Sequence, residues 1–438
     1  MRWTFPYQSP NSPSLAEAAT SVKFFVMSFV EEFRALPLAD LEHIARAADR
    51  RAVGASLGKD ALTLADFATL LSPSAQPDLE RMCHRSQAMT RQRFGRVIRM
   101  FAPLYLSNEC INNCKYCGFS RDNPILRVTL DIPQVLREAE ALKAQGFRHL
   151  LLVAGEHPKF VSNGYLEECI RALRPMFPSI SLEVGPMEAH DYRPLVEAGS
   201  EGLVVYQETY DEAVYADMHT AGPKRNFEWR LETPERAYQA GFRRLGLGAL
   251  YGLADWRREA VCVAAHAAYL LRHCWKANLT VSVPRLRPCA GSFQPQVHLS
   301  DREIVQLVCA FRMFLPDVGL VLSTREPAAL RDGLFPLGIT LISAGSHTEP
   351  GGYTGAGSEN VHQTVRGRIQ AATGGTTSTA TATSTATGTD GRGASPGTTL
   401  ATGQFEIADN RSAAEVSGVL RRLGYEPVWK DWDTALSA

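Results

Sequence analysis

The sequence predicts a closed barrel of eight parallel strands wrapped by helices, a (β/α)8 or TIM-type barrel, with a helical extension before it and a short helical segment after it. Two observations carry this. From Val97 onward, short apolar runs alternate with amphipathic helical stretches, the pattern of strands buried on both faces of a parallel sheet. Several helical stretches also end in glycine just before the next run, at Gly146, Gly199 and Gly241, as left-handed helix caps require. The runs are Val97–Leu106, Leu150–Ala154, Ser181–Val184, Gly202–Tyr206, Leu245–Ala249, Leu279–Val283, Gly319–Leu322 and Ile339–Ser343. Eight units in about 250 residues suit closure, and a doubly wound open sheet is the alternative. Either fold places its chemistry at the C-terminal ends of the strands.

Taken in order, residues 1–95 read as the helical extension. Leu36–Arg50 and Leu62–Leu71 carry apolar residues at helical spacing, punctuated by Pro37 and Pro73. The run Phe24–Val30 stops at Glu31 and Glu32, well short of the ~18 apolar residues that span a bilayer. It lacks a small-residue cleavage site and reads as an amphipathic helix. The barrel is assigned to residues 96–360, with helices such as Ile132–Gln145, Arg257–His273 and Asp301–Phe314 between its strands. Ala371–Gly403 is compositionally separate: 12 of its 33 residues are Thr, and most of the rest are Ala, Gly and Ser. Such a segment buries too little surface to offset its ordering entropy, so it is expected to be a disordered insert. Residues 404–438 form the C-terminal segment, with helical spacing over Arg411–Leu423 and a tail through Val428–Trp432.

The 438 residues carry 46 basic and 46 acidic side chains, which argues against a chain-wide nucleic-acid or anionic-membrane binder. The nine cysteines are odd in number and six are scattered, unlike a disulfide framework; the chain reads as reduced and cytoplasmic.

The other three cysteines are crowded. Cys110-Ile-Asn-Asn-Cys114-Lys-Tyr-Cys117 follows directly on the first strand, at the mouth of the expected barrel. Thiolates are soft ligands suited to iron–sulfur clusters and zinc. Three on one loop hold three corners of a cubane and leave the fourth iron open. Zinc normally wants a fourth Cys or His, and neither a second CxxC nor a pointed spacing of His149 or His157 supplies one. Gly246-Leu-Gly248-Ala-Leu-Tyr-Gly252 looks like a dinucleotide loop, but its spacing is wrong and it reads as a strand end.

The CxxxCxΦC pattern at the end of a first barrel strand resembles the radical S-adenosylmethionine (SAM) superfamily. The resemblance implies one [4Fe–4S] cluster on Cys110, Cys114 and Cys117. SAM would chelate the open iron, with Tyr116 beside its adenine, and would yield a 5′-deoxyadenosyl radical. Ala154-Gly155-Glu156 ends the second strand where the superfamily often has GGE, so Gly155 and Glu156 are expected at the SAM ammonium; Ala154 departs from the motif. Glu208 and Arg230 resemble the acid on the ribose and the arginine on the carboxylate of SAM.

Further motifs narrow the likeness. Pro103-Leu-Tyr-Leu-Ser-Asn108, Cys117-Gly-Phe-Ser120, Tyr206-Gln-Glu-Thr-Tyr210, Gly222-Pro-Lys224, Trp229-Arg-Leu-Glu-Thr-Pro234, Pro284-Arg-Leu-Arg-Pro-Cys289, Ser323-Thr-Arg-Glu326, Pro350-Gly-Gly-Tyr353 and Pro427-Val-Trp-Lys-Asp-Trp432 occur in order. Together they resemble 2-iminoacetate synthase, the radical SAM tyrosine lyase of thiamine biosynthesis. The implied reaction splits L-tyrosine into 2-iminoacetate and p-cresol. The implied partners are thiazole synthase, which would receive the labile imine, and an electron donor such as flavodoxin or ferredoxin. Arg325 is the leading candidate for the substrate carboxylate, with Ser343 adding a hydrogen bond; Arg285 and Arg287 are alternatives. Tyr105, His347 and Glu349 lie near strand ends, and the sequence does not choose a base among them. Related readings are the hydrogenase-maturation tyrosine lyase, a tryptophan lyase and a non-catalytic zinc-binding barrel. The first carries a second, C-terminal cysteine cluster, whereas the last cysteine here is Cys309.

Overall fold

The computed structural model describes residues 28–365, 368–371 and 400–429. Its centre is a ring of eight parallel strands. They are β1 Val97–Ser107, β2 His149–Ala154, β3 Ser179–Glu183, β4 Gly202–Val204, β5 Arg244–Gly248, β6 Asn278–Ser282, β7 Gly319–Leu322 and β8 Leu341–Ser343. Each pairs with the next, and β8 returns to β1 through Arg99↔Leu341, Met100↔Ile342 and Phe101↔Ser343. That last pairing closes the barrel and excludes the open sheet.

The pleat of β1 explains its unbroken apolar run. Ile98, Met100, Ala102, Leu104 and Leu106 face the surrounding helices, while Phe101 and Tyr105 face inward with Leu151, Val153, Val321 and Leu341. A register slip between Tyr105 and Ser107 marks a bulge where the strand turns into the cysteine loop. Gly146, Gly199 and Gly241 adopt φ of 100°, 119° and 118°, the left-handed values that end a helix.

The N-terminal helices share the barrel's core. Phe29 is fully buried and stacks on His266 at 3.9 Å between ring centroids; Phe67 meets Phe311 and Phe314 at 5.1 and 5.3 Å. Burying one such ring contributes about 1.5–3 kcal/mol. The first described helix is Phe29–Ala35, so most of the amphipathic run expected at Phe24–Val30 lies outside the described residues.

The C-terminal region holds two features that composition did not show. Most of the expected insert, residues 372–399, lies outside the described residues. Its flanks are built into the fold, so the 371–403 boundaries are too wide. Arg368–Ala371 pairs antiparallel with His362–Val365, which in turn pairs with Leu126–Arg127. Ala401 is buried, and the Thr402 N–H donates to the Leu126 carbonyl at 2.9 Å. After the helix Ala413–Arg422, the chain ends its described course as β9, Glu426–Val428. This strand pairs in parallel with Val97–Arg99, the part of β1 that precedes its contact with β2.

A buried charge network fastens this region down. Arg331 and Asp409, both essentially without solvent exposure, form an ion pair, and Arg331 also donates to the Ser343 carbonyl. Arg411 donates to Asp409 at 2.9 Å and to Asp332 at 2.8 Å. Removing one member of a buried pair strands the other. Asp409→Ala is therefore expected to destabilise the fold by about 3 kcal/mol. Chemical denaturation beside the wild type measures this, and an unchanged midpoint would refute it.

Candidate active site

The three cysteines sit on a loop that leaves the barrel mouth from β1. One buried arginine joins the two ends of its backbone. The Arg127 guanidinium donates to the carbonyls of Asn108 at 2.7 Å, Phe119 at 3.2 Å and Ser120 at 2.7 Å, tying the loop's beginning to its end. Asn108 donates to the Leu126 and Thr402 carbonyls at 2.9 and 3.0 Å. Asn113–Cys114 pairs antiparallel with His219–Ala221, which clamps the loop's middle.

Gly155 makes the neighbouring approach possible. A Cβ there would fall 2.2 Å from the Glu109 carbonyl oxygen and 3.2 Å from Cys110 Cβ. Sequence reasoning gave Gly155 a direct place at SAM; the backbone that it approaches is the cysteine loop's own.

The donor set fits an iron–sulfur cluster. Asn112 Nδ2 lies 3.7 Å from Cys110 Sγ and Gln404 Nε2 lies 3.9 Å from Cys117 Sγ, so two amide donors face sulfur acceptors. Burial pushes the Cys117 thiol up to about 11, against the pull of Lys224, and pushes Cys114 further in the same direction. Metal coordination deprotonates a thiol outright and overrides this cost. Among the described residues, no three His, Cys, Asp or Glu side chains are already gathered about one point as a metal site.

Glu156 and Glu208 flank the loop. Glu156 accepts from Asn112 Nδ2 at 2.7 Å, directly behind the cysteines. Glu208 is buried and holds φ at 72°, the sole positive value among the described non-glycine residues. It meets Lys224 at 2.7 Å and Arg230 at 3.4 Å. Burial pushes its carboxyl up, but these two cations outweigh that and hold it below the ordinary range. Arg230 also donates to the Tyr206 carbonyl at 2.7 Å. Tyr116 is buried, and its hydroxyl sits 2.7 Å from His219 Nε2. His219 Nδ1 is 2.8 Å from the Tyr215 carbonyl, which makes Nδ1 the protonated nitrogen and leaves Nε2 to accept from Tyr116. Burial and Lys224 push the His219 imidazole down to about 3, so it stays neutral.

Beneath the loop, inside the barrel, lies a cavity that is partly open to solvent. Its apolar wall includes Phe101, Leu151, Val153 and Val321; its polar wall includes Glu183, Arg325, Ser343 and Gln404. Arg325 stacks on the Phe405 ring at 3.4 Å and, among the described residues, makes no ion pair. The alternative Arg285 is committed: Glu326 accepts from its Nε at 3.0 Å and Asp301 meets it at 2.8 Å. Arg287 does not line the cavity. The Ser343 hydroxyl accepts from the Thr324 N–H at 3.2 Å, leaving its own proton for the cavity. Of the candidate bases, Tyr105 lines the cavity and donates to Gln404 Oε1 at 2.8 Å; His347 and Glu349 pair with each other at 3.1 Å and do not line it.

Sequence reasoning missed several residues here. Glu183 is the one carboxylate on the cavity wall. Burial, reinforced by Glu208, pushes it up to about 7. Lys224 stood in a noted motif, Gly222-Pro-Lys224, without a role. Gln404 and Phe405 arrive from beyond the Thr-rich stretch, and no local pattern signals them. Cys289, whose thiol donates to the Tyr116 carbonyl at 3.2 Å, was counted among the scattered cysteines.

Comparison with known proteins adds an independent line. Residues 104–262 match the radical SAM superfamily model, and residues 282–426 match the biotin and thiamin synthesis associated domain. The chain is 41% identical over 382 residues to the 2-iminoacetate synthase of Escherichia coli (strain K12), covering 87% of this chain and 90% of that one. It is 38% identical over 410 residues to the 2-iminoacetate synthase of Salmonella typhimurium (strain LT2), covering 93% and 98%. Among solved structures, HydG, a maturase of the [FeFe]-hydrogenase, superposes with a TM-score of 0.76 at 29% identity, over 90% of this chain and 79% of that one. Methylornithine synthase (PylB) superposes with a TM-score of 0.62 at 19% identity, over 86% and 97%, and shows the fold alone.

The close approach at Gly155 is directly testable. Gly155→Ala forces backbone against backbone, so the cysteine loop must shift. Iron and sulfide content after anaerobic reconstitution is expected to fall below half the wild-type value, by order of magnitude a cost of several tenths of a kcal/mol or more at the loop. Full loading of the variant would contradict the packing argument.

Proposed function

The chain belongs to the 2-iminoacetate synthase family of the radical SAM superfamily, and from that membership we propose how its own residues divide the work of cleaving L-tyrosine. It is a lyase that breaks the Cα–Cβ bond of tyrosine to give 2-iminoacetate and p-cresol, with methionine and 5′-deoxyadenosine as coproducts. One [4Fe–4S] cluster and SAM, when bound, supply the deoxyadenosyl radical that takes one hydrogen atom from tyrosine. The Cα–Cβ bond then breaks, the two-carbon fragment leaves as the imine, and the aryl fragment gains one electron and one proton to become p-cresol.

Cys110, Cys114 and Cys117 hold the cluster and leave one iron for SAM. Glu156 takes the SAM ammonium, Arg230 its carboxylate and Glu208 its ribose, with Tyr116 beside the adenine. Lys224 keeps Glu208 ionised in a buried setting. Arg325 binds the tyrosine carboxylate and Ser343 donates a hydrogen bond to the same group. Glu183 accepts a proton from the bound substrate. The carrying observation is Arg325: a guanidinium stacked on Phe405 at the cavity wall, in no ion pair among the described residues. The apolar wall suits an aromatic ring and keeps water from the radical.

The imine hydrolyses readily, so direct transfer to thiazole synthase is the partnership we assign. An electron donor of the flavodoxin or ferredoxin class supplies the reducing equivalents. The nine free thiols and the cluster suit the reducing cytoplasm. No described helix is long and apolar enough to cross a membrane.

The central experiment incubates anaerobically reconstituted enzyme with SAM, a reductant and tyrosine, with tryptophan in parallel. p-Cresol from tyrosine is the expected product; its absence in a cluster-loaded, SAM-cleaving preparation would overturn the substrate assignment. Arg325→Ala is expected to lower p-cresol formation about 100-fold, the loss of one charge-paired contact, while sparing much of SAM cleavage. Equal loss of both would argue against a substrate role.

Glu183 gives a pH signature. Its carboxyl is raised to about 7, so it is protonated below that pH and able to accept a proton above it. p-Cresol formation is expected to rise with pH through about 7, and Glu183→Gln to remove that limb with a loss of about 100-fold. An unchanged pH profile in the variant would exclude the role.

A further inference from the structure

The segment that returns to the barrel mouth after the Thr-rich stretch reaches both halves of the site. Its backbone joins the cysteine loop through Gly118 N–H to the Gln404 carbonyl at 3.0 Å, and joins the β8 side through Gln404 N–H to the Thr348 carbonyl at 2.9 Å. A Cβ on Gly118 would sit 2.6 Å from the Gln404 carbonyl oxygen, so the fit is close. The Gln404 side chain then divides its two ends. Nε2 faces Cys117 Sγ at 3.9 Å, and Oε1 accepts the Tyr105 hydroxyl at 2.8 Å. In this orientation Tyr105 donates to the amide oxygen and the N–H donors face the sulfur.

We propose that Gln404 is a positioning residue that sets the reduction potential of the cluster through an N–H···S hydrogen bond to Cys117, held in that orientation by Tyr105. The physical basis is general. A donor facing a ligand sulfur stabilises the more electron-rich, reduced cluster and raises its potential. Through this donor Cys117 is linked to the substrate cavity, because Gln404 and Tyr105 both line that cavity. Asn112 plays the corresponding part at Cys110, where its amide nitrogen is 3.7 Å from the sulfur, but its oxygen accepts from the Lys224 N–H at 2.9 Å on the SAM side. Gln404 is therefore the donor through which the substrate side of the site reaches the cluster. This inference rests on the cluster assignment made above.

The test uses the full chain, reconstituted anaerobically, in a potentiometric titration followed by the electron paramagnetic resonance of the reduced cluster. Gln404→Leu removes the donor and keeps much of the volume; its midpoint is expected to be more negative than that of the wild type. Tyr105→Phe leaves the amide but frees its orientation, and a smaller shift of the same sign is expected. An unchanged midpoint in Gln404→Leu overturns the proposal. Should Gln404→Leu fail to load its cluster, Tyr105→Phe decides: a wild-type midpoint there overturns the proposal, and a negative shift supports it. Iron and sulfide analysis of the wild type separates this outcome from failure of the cluster assignment, since a wild type without a cluster gives no midpoint to compare.

Discussion

Everything at the barrel mouth depends on one constraint: a loop carrying three thiols must be buried without leaving its carbonyls unpaired. Unpaired buried backbone groups are costly, and the loop's own bonds, such as Cys117 N–H to the Cys114 carbonyl and Arg121 N–H to the Asn112 carbonyl, leave carbonyls at its two ends unmet. Arg127 resolves this by bringing a rigid fork of donors to carbonyls at both ends of the loop. The solution adds a charge with almost no solvent exposure, and burial pushes that guanidinium down. Five N–H donors in one plane make the exchange favourable where a lysine would reach fewer acceptors. The fork closes the loop, and the pairing of Asn113–Cys114 with His219–Ala221 and the bond from Gly118 to Gln404 hold the cysteine-bearing stretch between.

The same economy of charge appears in the two carboxylates nearest the chemistry. Glu183 and Glu208 are both desolvated, yet they move in opposite directions. Glu208 has two cations within contact and stays ionised. Glu183 has none in contact and is pushed up, partly by Glu208 itself. Like charges sharing a low-dielectric region separate their affinities for protons in this way. A chain with no net charge thus builds a fixed anion and a titrating one side by side from purely local placement.

How much of this the sequence made legible divides along physical lines. Features set by neighbours in the chain were readable. The eight apolar runs became eight strands, because burial on both faces demands continuous apolar residues. Gly146, Gly199 and Gly241 took the left-handed cap, and the cysteine spacing marked its own loop. Features set by distant partners were not readable. The sequence put Arg325 first but left Arg285 open as an alternative; Glu326 separates them by engaging Arg285 from β7's end, although it is Arg325's own neighbour. Arg127, Glu183 and Gln404 belong to no motif, because their roles exist only once the strands close. Gly155 was recognised as a close-approach position, but the partner in that approach emerged only from the fold.

The C-terminal segment shows why the boundary drawn from composition was physically misplaced. A Thr-rich stretch divides the sequence, yet it does not divide the site. Residues on its far side supply a wall of the cavity, a ring under Arg325 and a donor to Cys117. The buried Arg331–Asp409 pair and β9 on β1 hold that segment against the barrel from both sides of the helix Ala413–Arg422. An element anchored at two points, with its working residues ahead of both, is fixed in position without a large interface of its own. Substrate binding, cluster environment and barrel closure consequently share one set of anchors. A substitution that loosens Asp409 therefore removes one of these anchors from the site as well as from the fold, and leaves Gln404 and Phe405 to their own bonds with Gly118 and Thr348.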